Sequence, residues 1–208
     1  EESVKKVSKN FKEVLKNQLK IIRYPSIWIL GLASSTMYVT RYAINSWGVL
    51  YLQEGRGYSL IEAGGLVGLN TFTGIIGCVA YGYISDKYFG ARRPPVTLMF
   101  GIAEIGSLFL IFYGPQSTLV LTIAFIIYGF SLSGLLAVLG GLFAIDIAPK
   151  NITGAAMGFI GLFSYIGAAI QEKVSSVLIK STQLDVNSEI IYDFDSVVIL
   201  SLIHISEP

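Results

Sequence analysis

Cysteine occurs once in this 208-residue chain, at Cys78, and histidine occurs once, at His204. One cysteine excludes an intrachain disulfide, and one of each excludes the Cys/His clusters that hold structural zinc. With the usual acid–base and metal-ligating groups missing, no enzyme activity, metal or cofactor is expected, and no nucleic-acid partner. Charge is scarce too. Asp, Glu, Lys and Arg make up 14% of residues, against about 25% in soluble domains, so the polar surface needed in water is lacking. The chain opens at Glu1 without a methionine, and its first residues are charged and helix-forming. They carry no signal-peptide pattern, and the start reads as an internal cut.

What the chain has is long apolar runs: 53% of residues are hydrophobic. A hydrocarbon core about 30 Å thick takes about 20 apolar residues as a helix, so an all-α membrane protein in contact with a lipid bilayer is expected. Residues 1–24 come first, a basic segment whose apolar positions Val4, Val7, Phe11, Val14, Leu15, Leu19 and Ile22 recur at helical spacing. This predicts an amphipathic helix on the membrane surface. A transmembrane bundle is predicted over residues 25–199. Its spans run from about Pro25 to Leu52, Ile61 to Ile84, Pro95 to Tyr113, Thr118 to Ile145 and Ile152 to Ile179. A sixth run starts at Val197, after a polar, mostly acidic link over 180–196. Pro149 stops the fourth span, and the stretch from Ser85 to Pro94 is predicted as a loop.

The segment 1–24, the 85–95 loop and the 146–151 link fall on one side and hold 11 of the 15 lysines and arginines. The positive-inside rule makes that side cytoplasmic, with the start of the chain inside a plasma (inner) membrane. The last nine residues, Leu200 to Pro208 (LSLIHISEP), match the in-frame translation of a transposase sequencing adapter. They read as adapter sequence that truncates the sixth helix, which leaves His204 without a function.

Few residues in the spans can do chemistry. Arg41 lies deep in the first span, where an arginine costs about 2.5–3.5 kcal/mol on insertion scales. Its planar, always charged guanidinium can hold a phosphate through two parallel hydrogen bonds; a structural ion pair or a snorkelling side chain is the alternative. Tyr38 and Asn45 share its helix face, and Tyr42 follows it directly. They can donate to substrate oxygens, brace the guanidinium, or simply pack. In the fifth span Gly154, Gly158, Gly161, Tyr165, Ala168 and Glu172 fall on one face, where small residues let another helix approach closely. Glu172, next to Lys173, can pair with a cation as an outer gate, neutralise Arg41, read a substrate hydroxyl, or belong to a fraying helix end. Glu104, central in the third span, is expected protonated or hydrogen-bonded against a neighbour rather than charged in lipid. Asn70 and Thr71 can face a cavity.

Three segments carry a family resemblance. YVTRYAINSWGVLYLQEGRGYSL (Tyr38 to Leu60) resembles the seventh helix of the organophosphate:phosphate antiporters, a branch of the major facilitator superfamily. GYISDKYFGARRP (Gly82 to Pro94) resembles the superfamily's loop motif between helices eight and nine. IDIAPKNITGAAMGFIGLFSYIGAAI (Ile145 to Ile170) is similar to the branch's link into helix eleven. The resemblance implies the six-helix C-terminal half of a twelve-helix fold, with the last helix truncated and the N-terminal half missing. It also implies a site near the bilayer midplane between the halves.

By the same resemblance Arg41 is the arginine that holds substrate phosphate, and Tyr165 is a tyrosine of the substrate pathway. Asp86, Lys87, Arg92 and Arg93 form the cytoplasmic motif that gates rather than binds. The implied activity is exchange of an organic phosphate, such as a sugar phosphate or glycerol phosphate, for inorganic phosphate. The alternative is a sugar-phosphate sensor of the same fold that signals to a membrane partner. The chain departs from the branch at three places. Ser46 stands where the transporters carry an aspartate before the tryptophan, Thr71 where they carry a glutamate, and Ser131-Leu132-Ser133-Gly134 where they carry Tyr-Gly-Pro.

Overall fold

The computed structural model describes Lys16 and residues 19–181, 184–186 and 189–191. Within this range the chain folds into five long helices: α1 (Pro25–Leu50), α2 (Leu60–Phe89), α3 (Arg93–Tyr113), α4 (Thr118–Ile147) and α5 (Thr153–Ser181). A short antiparallel pair, β1 (Leu184–Val186) and β2 (Glu189–Ile191), follows in register Leu184 to Ile191. The predicted surface helix over 1–24 lies mostly outside the described residues, and Leu19–Arg23 forms a 3-10 turn. The sixth run and the adapter-like tail also lie outside them.

Local chemistry sets the helix ends. Pro25 begins α1 and Pro94 sits in the first turn of α3, where a missing N–H costs nothing. Ser59 and Glu62 make a reciprocal capping box on α2. The far end of α2 corrects the predicted loop. Asp86 and Lys87 are helical, because α2 runs on to Phe89. Gly90, in the left-handed region at φ 57°, returns its N–H to the Ser85 carbonyl and closes the helix. Ala91 follows at φ 62°, so the connection shrinks to a tight turn and Arg93 already begins α3. Two helices loosen where glycine enters: a π turn at Tyr51–Gly55 ends the first helix, and another at Val138–Leu142 interrupts α4 at Gly140 and Gly141.

α2, α3, α4 and α5 are long and apolar enough to cross a membrane. At 26 residues, or about 39 Å, α1 has the length, but Ser34, Ser35, Thr36, Thr40, Arg41, Asn45 and Ser46 lower its apolarity. Its outward face is still apolar, with Ile29 69% and Leu32 63% exposed. On α2, Phe72 and Val79 face outward in the same way. The described residues thus form a helical, multi-pass membrane bundle, with the short β pair after its last described helix.

α1 packs along α5, α2 along α4, and α3 lies outside α4 with a narrower contact to α2. Lipid tails are as apolar as leucine, so close backbone approach and interhelical hydrogen bonds hold such pairs together. Between α2 and α4 the approach uses Gly74, Gly77, Gly129 and Gly134. A Cβ on Gly77 would collide with the Phe130 backbone, and one on Gly129 would lie 2.5 Å from Asn70 Cα. Between α1 and α5, the Ser34 and Ser164 hydroxyls share a 2.7 Å hydrogen bond, and a Cβ on Gly167 would lie 2.6 Å from the Ser35 carbonyl oxygen. The predicted stripe on the fifth span meets α1 only in its later part. A Cβ on Gly154, Gly158 or Gly161 would meet nothing within 4 Å, whereas Tyr165 and Glu172 of the same stripe meet Tyr38, Ser46 and Trp47 on α1.

Arg56 ties two connections together. It donates from Nη1 to the Gly114 carbonyl at 3.0 Å, and from Nη2 to those of Ile111 at 3.0 Å and Phe112 at 2.7 Å. Its Nε donates to the Tyr51 hydroxyl at 3.1 Å. The cation thus sits on the carbonyl end of α3, where the helix dipole favours it.

Candidate functional site

The middle of α1 places its polar residues along one side. Arg41 is half-buried and lines a cleft of about 400 Å³ between α1, α2 and α4, together with Asn45, Asn70, Thr71, Gly74 and Ser133. The small residues of the α2–α4 contact leave this space open at the helix surface. Among the described residues no carboxylate lies within ion-pair distance of Arg41; its close neighbour is Tyr38, with Cζ 5.6 Å from the ring centroid. A guanidinium inside a bundle without a fixed counter-ion is equipped to take an anion from the cleft.

Two further aromatic rings join Tyr38. Tyr38 stacks on Tyr42 with centroids 6.2 Å apart, and Tyr165 of α5 meets Tyr38 edge-on at 5.7 Å. Tyr165 is 63% exposed. Asn70 donates to Asn45 Oδ1 at 3.3 Å and accepts from the Thr71 hydroxyl at 3.3 Å, which bridges α1 to α2 next to Arg41. The structure thus brings Tyr38, Arg41, Tyr42, Asn45 and Tyr165 together.

Glu172 lies further along the same α1–α5 seam. Its carboxylate accepts from the Ser46 hydroxyl and, at 3.2 Å, from the Trp47 indole N–H. Of the partners open to it on sequence grounds, the described structure provides neither Lys173 nor Arg41 but two neutral donors on α1. An acid on α5 thus faces Ser46, a contact visible only once the helices are paired.

The other predicted motif residues stand apart at the α2–α3 turn. Asp86 and Arg92 are exposed. The Lys87 ammonium donates to the Tyr83 hydroxyl and lies 4.9 Å from the Tyr83 ring centroid. The ion pair at this end joins Arg93 to Asp146 near the end of α4, with a second hydrogen bond from Nη2 to Oδ1 at 3.3 Å. It borders a cleft of about 430 Å³. Asp146 carried no sequence signal of its own beyond standing before Pro149. Ser133, Gly74 and Cys78 were likewise missed as cleft residues; helical spacing from Asn70 and Thr71 would have placed Gly74 and Cys78 there.

The sequence profile described as Major Facilitator Superfamily matches residues 1–171. The chain is 36% identical over 156 residues to the membrane sensor protein UhpC of Escherichia coli (strain K12), covering 72% of this chain and 34% of that protein. It is 34% identical over 144 residues to the glycerol-3-phosphate transporter of Bacillus subtilis (strain 168), covering 69% and 32%. It is 36% identical over 147 residues to a probable hexose phosphate transport protein of Chlamydia trachomatis serovar D, again covering 69% and 32%. The chain matches about a third of the length of these curated relatives. With a profile match over most of its length and these relatives, the chain belongs to the major facilitator superfamily, in the branch of organophosphate:phosphate antiporters and their sensor relatives.

Proposed function

We propose that the chain is the C-terminal half of a secondary-active plasma-membrane transporter that exchanges an organic phosphate for inorganic phosphate by alternating access. The observation that carries this reading is Arg41, half-buried in the bundle, open to a cleft and without a carboxylate partner among the described residues. Relatives named as glycerol-3-phosphate and hexose phosphate transport proteins support a phosphorylated substrate and a transporter rather than an enzyme. In this reading the phosphate takes two parallel hydrogen bonds from Arg41, while Tyr38, Tyr42, Asn45 and Tyr165 donate to or bracket the rest of the ligand. A matching cation comes from the absent N-terminal half. Two facing cations resist closure when the site is empty, and a bound dianion removes that repulsion, so substrate lowers the barrier to rocking. Asp86, Lys87 and Arg92 lie on the cytoplasmic side and act in gating, as Glu172 does toward the outside. Residues 1–24 form the central cytoplasmic loop.

The test is counterflow of labelled inorganic phosphate against phosphate esters in vesicles that contain the full-length protein. Arg41→Lys keeps the charge but loses the bidentate fork, and exchange is expected to be abolished while membrane insertion persists. Preserved exchange refutes the assignment. A sensor is the second reading, favoured by the similarity to a protein named as a membrane sensor. Binding of hexose phosphate without flux in the same vesicles decides for it.

A further inference from the structure

Most polar side chains around the Arg41 cleft are already engaged with one another. Asn70 donates to Asn45 and accepts from Thr71, which occupies the α1 and α2 walls. On the α4 wall, Ser131 and Ser133 are close in sequence and differ in fate. Ser131 is buried, and its hydroxyl returns to the Ile127 and Tyr128 carbonyls at 2.7 and 3.2 Å, as serines inside helices commonly do. Ser133 is half-buried and lines the cleft, and its hydroxyl makes no hydrogen bond among the described residues. Of the hydroxyl, amide and guanidinium side chains lining this cleft, two are therefore left without a hydrogen bond there: Arg41 and Ser133. The packing makes room for the second of them. Gly74 of α2 faces it, and a Cβ on Gly74 would collide with Ser133 Oγ. A hydroxyl left unpaired costs little only where water or a ligand can reach it, and the cleft gives that access. Around Ser133 the lining turns apolar, with Ile75, Leu132, Leu136 and Ala137. The cleft holds about 400 Å³, against about 30 Å³ for one water, so a phosphate at Arg41 fills only part of it.

We propose that Ser133 is a ligand-binding residue that takes a hydroxyl on the organic part of a phosphate ester whose phosphate is held by Arg41. The inference rests on the reading of Arg41 as the anion anchor. A serine hydroxyl both donates and accepts, so it pairs with an alcohol in either direction, and the apolar side chains beside it cover the carbon skeleton. Inorganic phosphate has no such skeleton and gains nothing from this end of the cleft. Ser133 thereby separates the two ligands that share Arg41: it adds to the binding of the ester and not to that of the free anion.

The test uses the full-length protein in detergent and reads the displacement of labelled inorganic phosphate. The competitors are unlabelled inorganic phosphate, glycerol-3-phosphate, glucose-6-phosphate and propyl phosphate, the last of which has no hydroxyl. In the wild type at least one hydroxylated ester is expected to bind more tightly than propyl phosphate. Ser133→Ala is expected to weaken that ester about fivefold, the worth of one neutral hydrogen bond, and to leave inorganic phosphate and propyl phosphate unchanged. Equal losses for every ligand assign Ser133 to the phosphate or to packing and overturn the proposal, as does no loss for any. A variant that does not fold also overturns it, since the hydroxyl would then serve the bundle. In the wild type alone, propyl phosphate that binds as tightly as both hydroxylated esters is equally fatal. Each of these results leaves the Arg41 reading standing; wild-type protein that binds no phosphate overturns both.

Discussion

Substitution of Gly129 by alanine tests whether the cleft depends on the close approach of α2 and α4. A Cβ at this position would stand 2.5 Å from Asn70 Cα and 2.5 Å from Thr73 Oγ1. The threonine hydroxyl can rotate away, but the Asn70 backbone cannot. Carbon atoms in contact prefer about 3.5–4.0 Å, so α2 must move by roughly 1 Å to relieve the overlap. Overpacking of this kind costs about 1–3 kcal/mol. The displaced residue is the one that binds Asn45 across the cleft, so the shift loosens the wall beside Arg41 as well as the helix pair. The expected result is a lower unfolding midpoint together with weaker phosphate binding, measured by denaturant titration in detergent and by equilibrium binding. Gly101→Ala is the control, because a Cβ there meets nothing within 4 Å. It is expected to be neutral, or more stable by about 0.4–1 kcal/mol through the unfolded chain. Equal behaviour of the two variants, in either direction, refutes the argument.

Arg56→Ala removes donors to three carbonyls at the end of α3; with hydrogen bonds to a charged group worth about 1.5–3 kcal/mol, faster hydrogen exchange at Ile111–Gly114 is expected, and unchanged exchange rates would count against the cap. Glu172→Ala deprives Ser46 and Trp47 of their acceptor, and a shift in the Trp47 emission is expected, with Trp28 replaced to isolate the signal; an unshifted spectrum argues that the contact does not persist. The Arg93–Asp146 pair is partly exposed, at 21% and 42%. Asp146→Asn should therefore change stability by no more than about 1 kcal/mol, and a loss of several kcal/mol would show that the pair is not a surface contact.

Much of the bundle was legible before any coordinates, because apolar runs broken by Pro149 or Gly114 leave little choice in a membrane. The end of α2 was not, since Asp86 and Lys87 look like loop residues until Gly90 is known to cap the helix in the left-handed region. Arg41 stood out by its cost in an apolar run, and Tyr38 and Asn45 followed by helical spacing. The Glu172–Ser46 contact and the Arg93–Asp146 pair did not, because each depends on which helices lie side by side and on their relative rotation. The glycines of the fifth span meet no neighbour among the described residues, while Tyr165 and Glu172 of the same stripe meet α1. Periodicity identifies a stripe but not which neighbour each part of it meets, and the α1–α5 contact also uses Ser164 and Gly167.

The polar side of α1 has a consequence in time. Ser34 finds its hydroxyl partner on Ser164, and Ser46 and Trp47 find theirs on Glu172, all on α5, which begins at Thr153. A ribosome adds about 5–20 residues per second. The least apolar helix of the bundle therefore emerges several seconds before the helix that satisfies it. During that interval its serines and indole must be sheltered by the insertion machinery or by helices already in place, so assembly of the described helices is ordered by α5 rather than by α1.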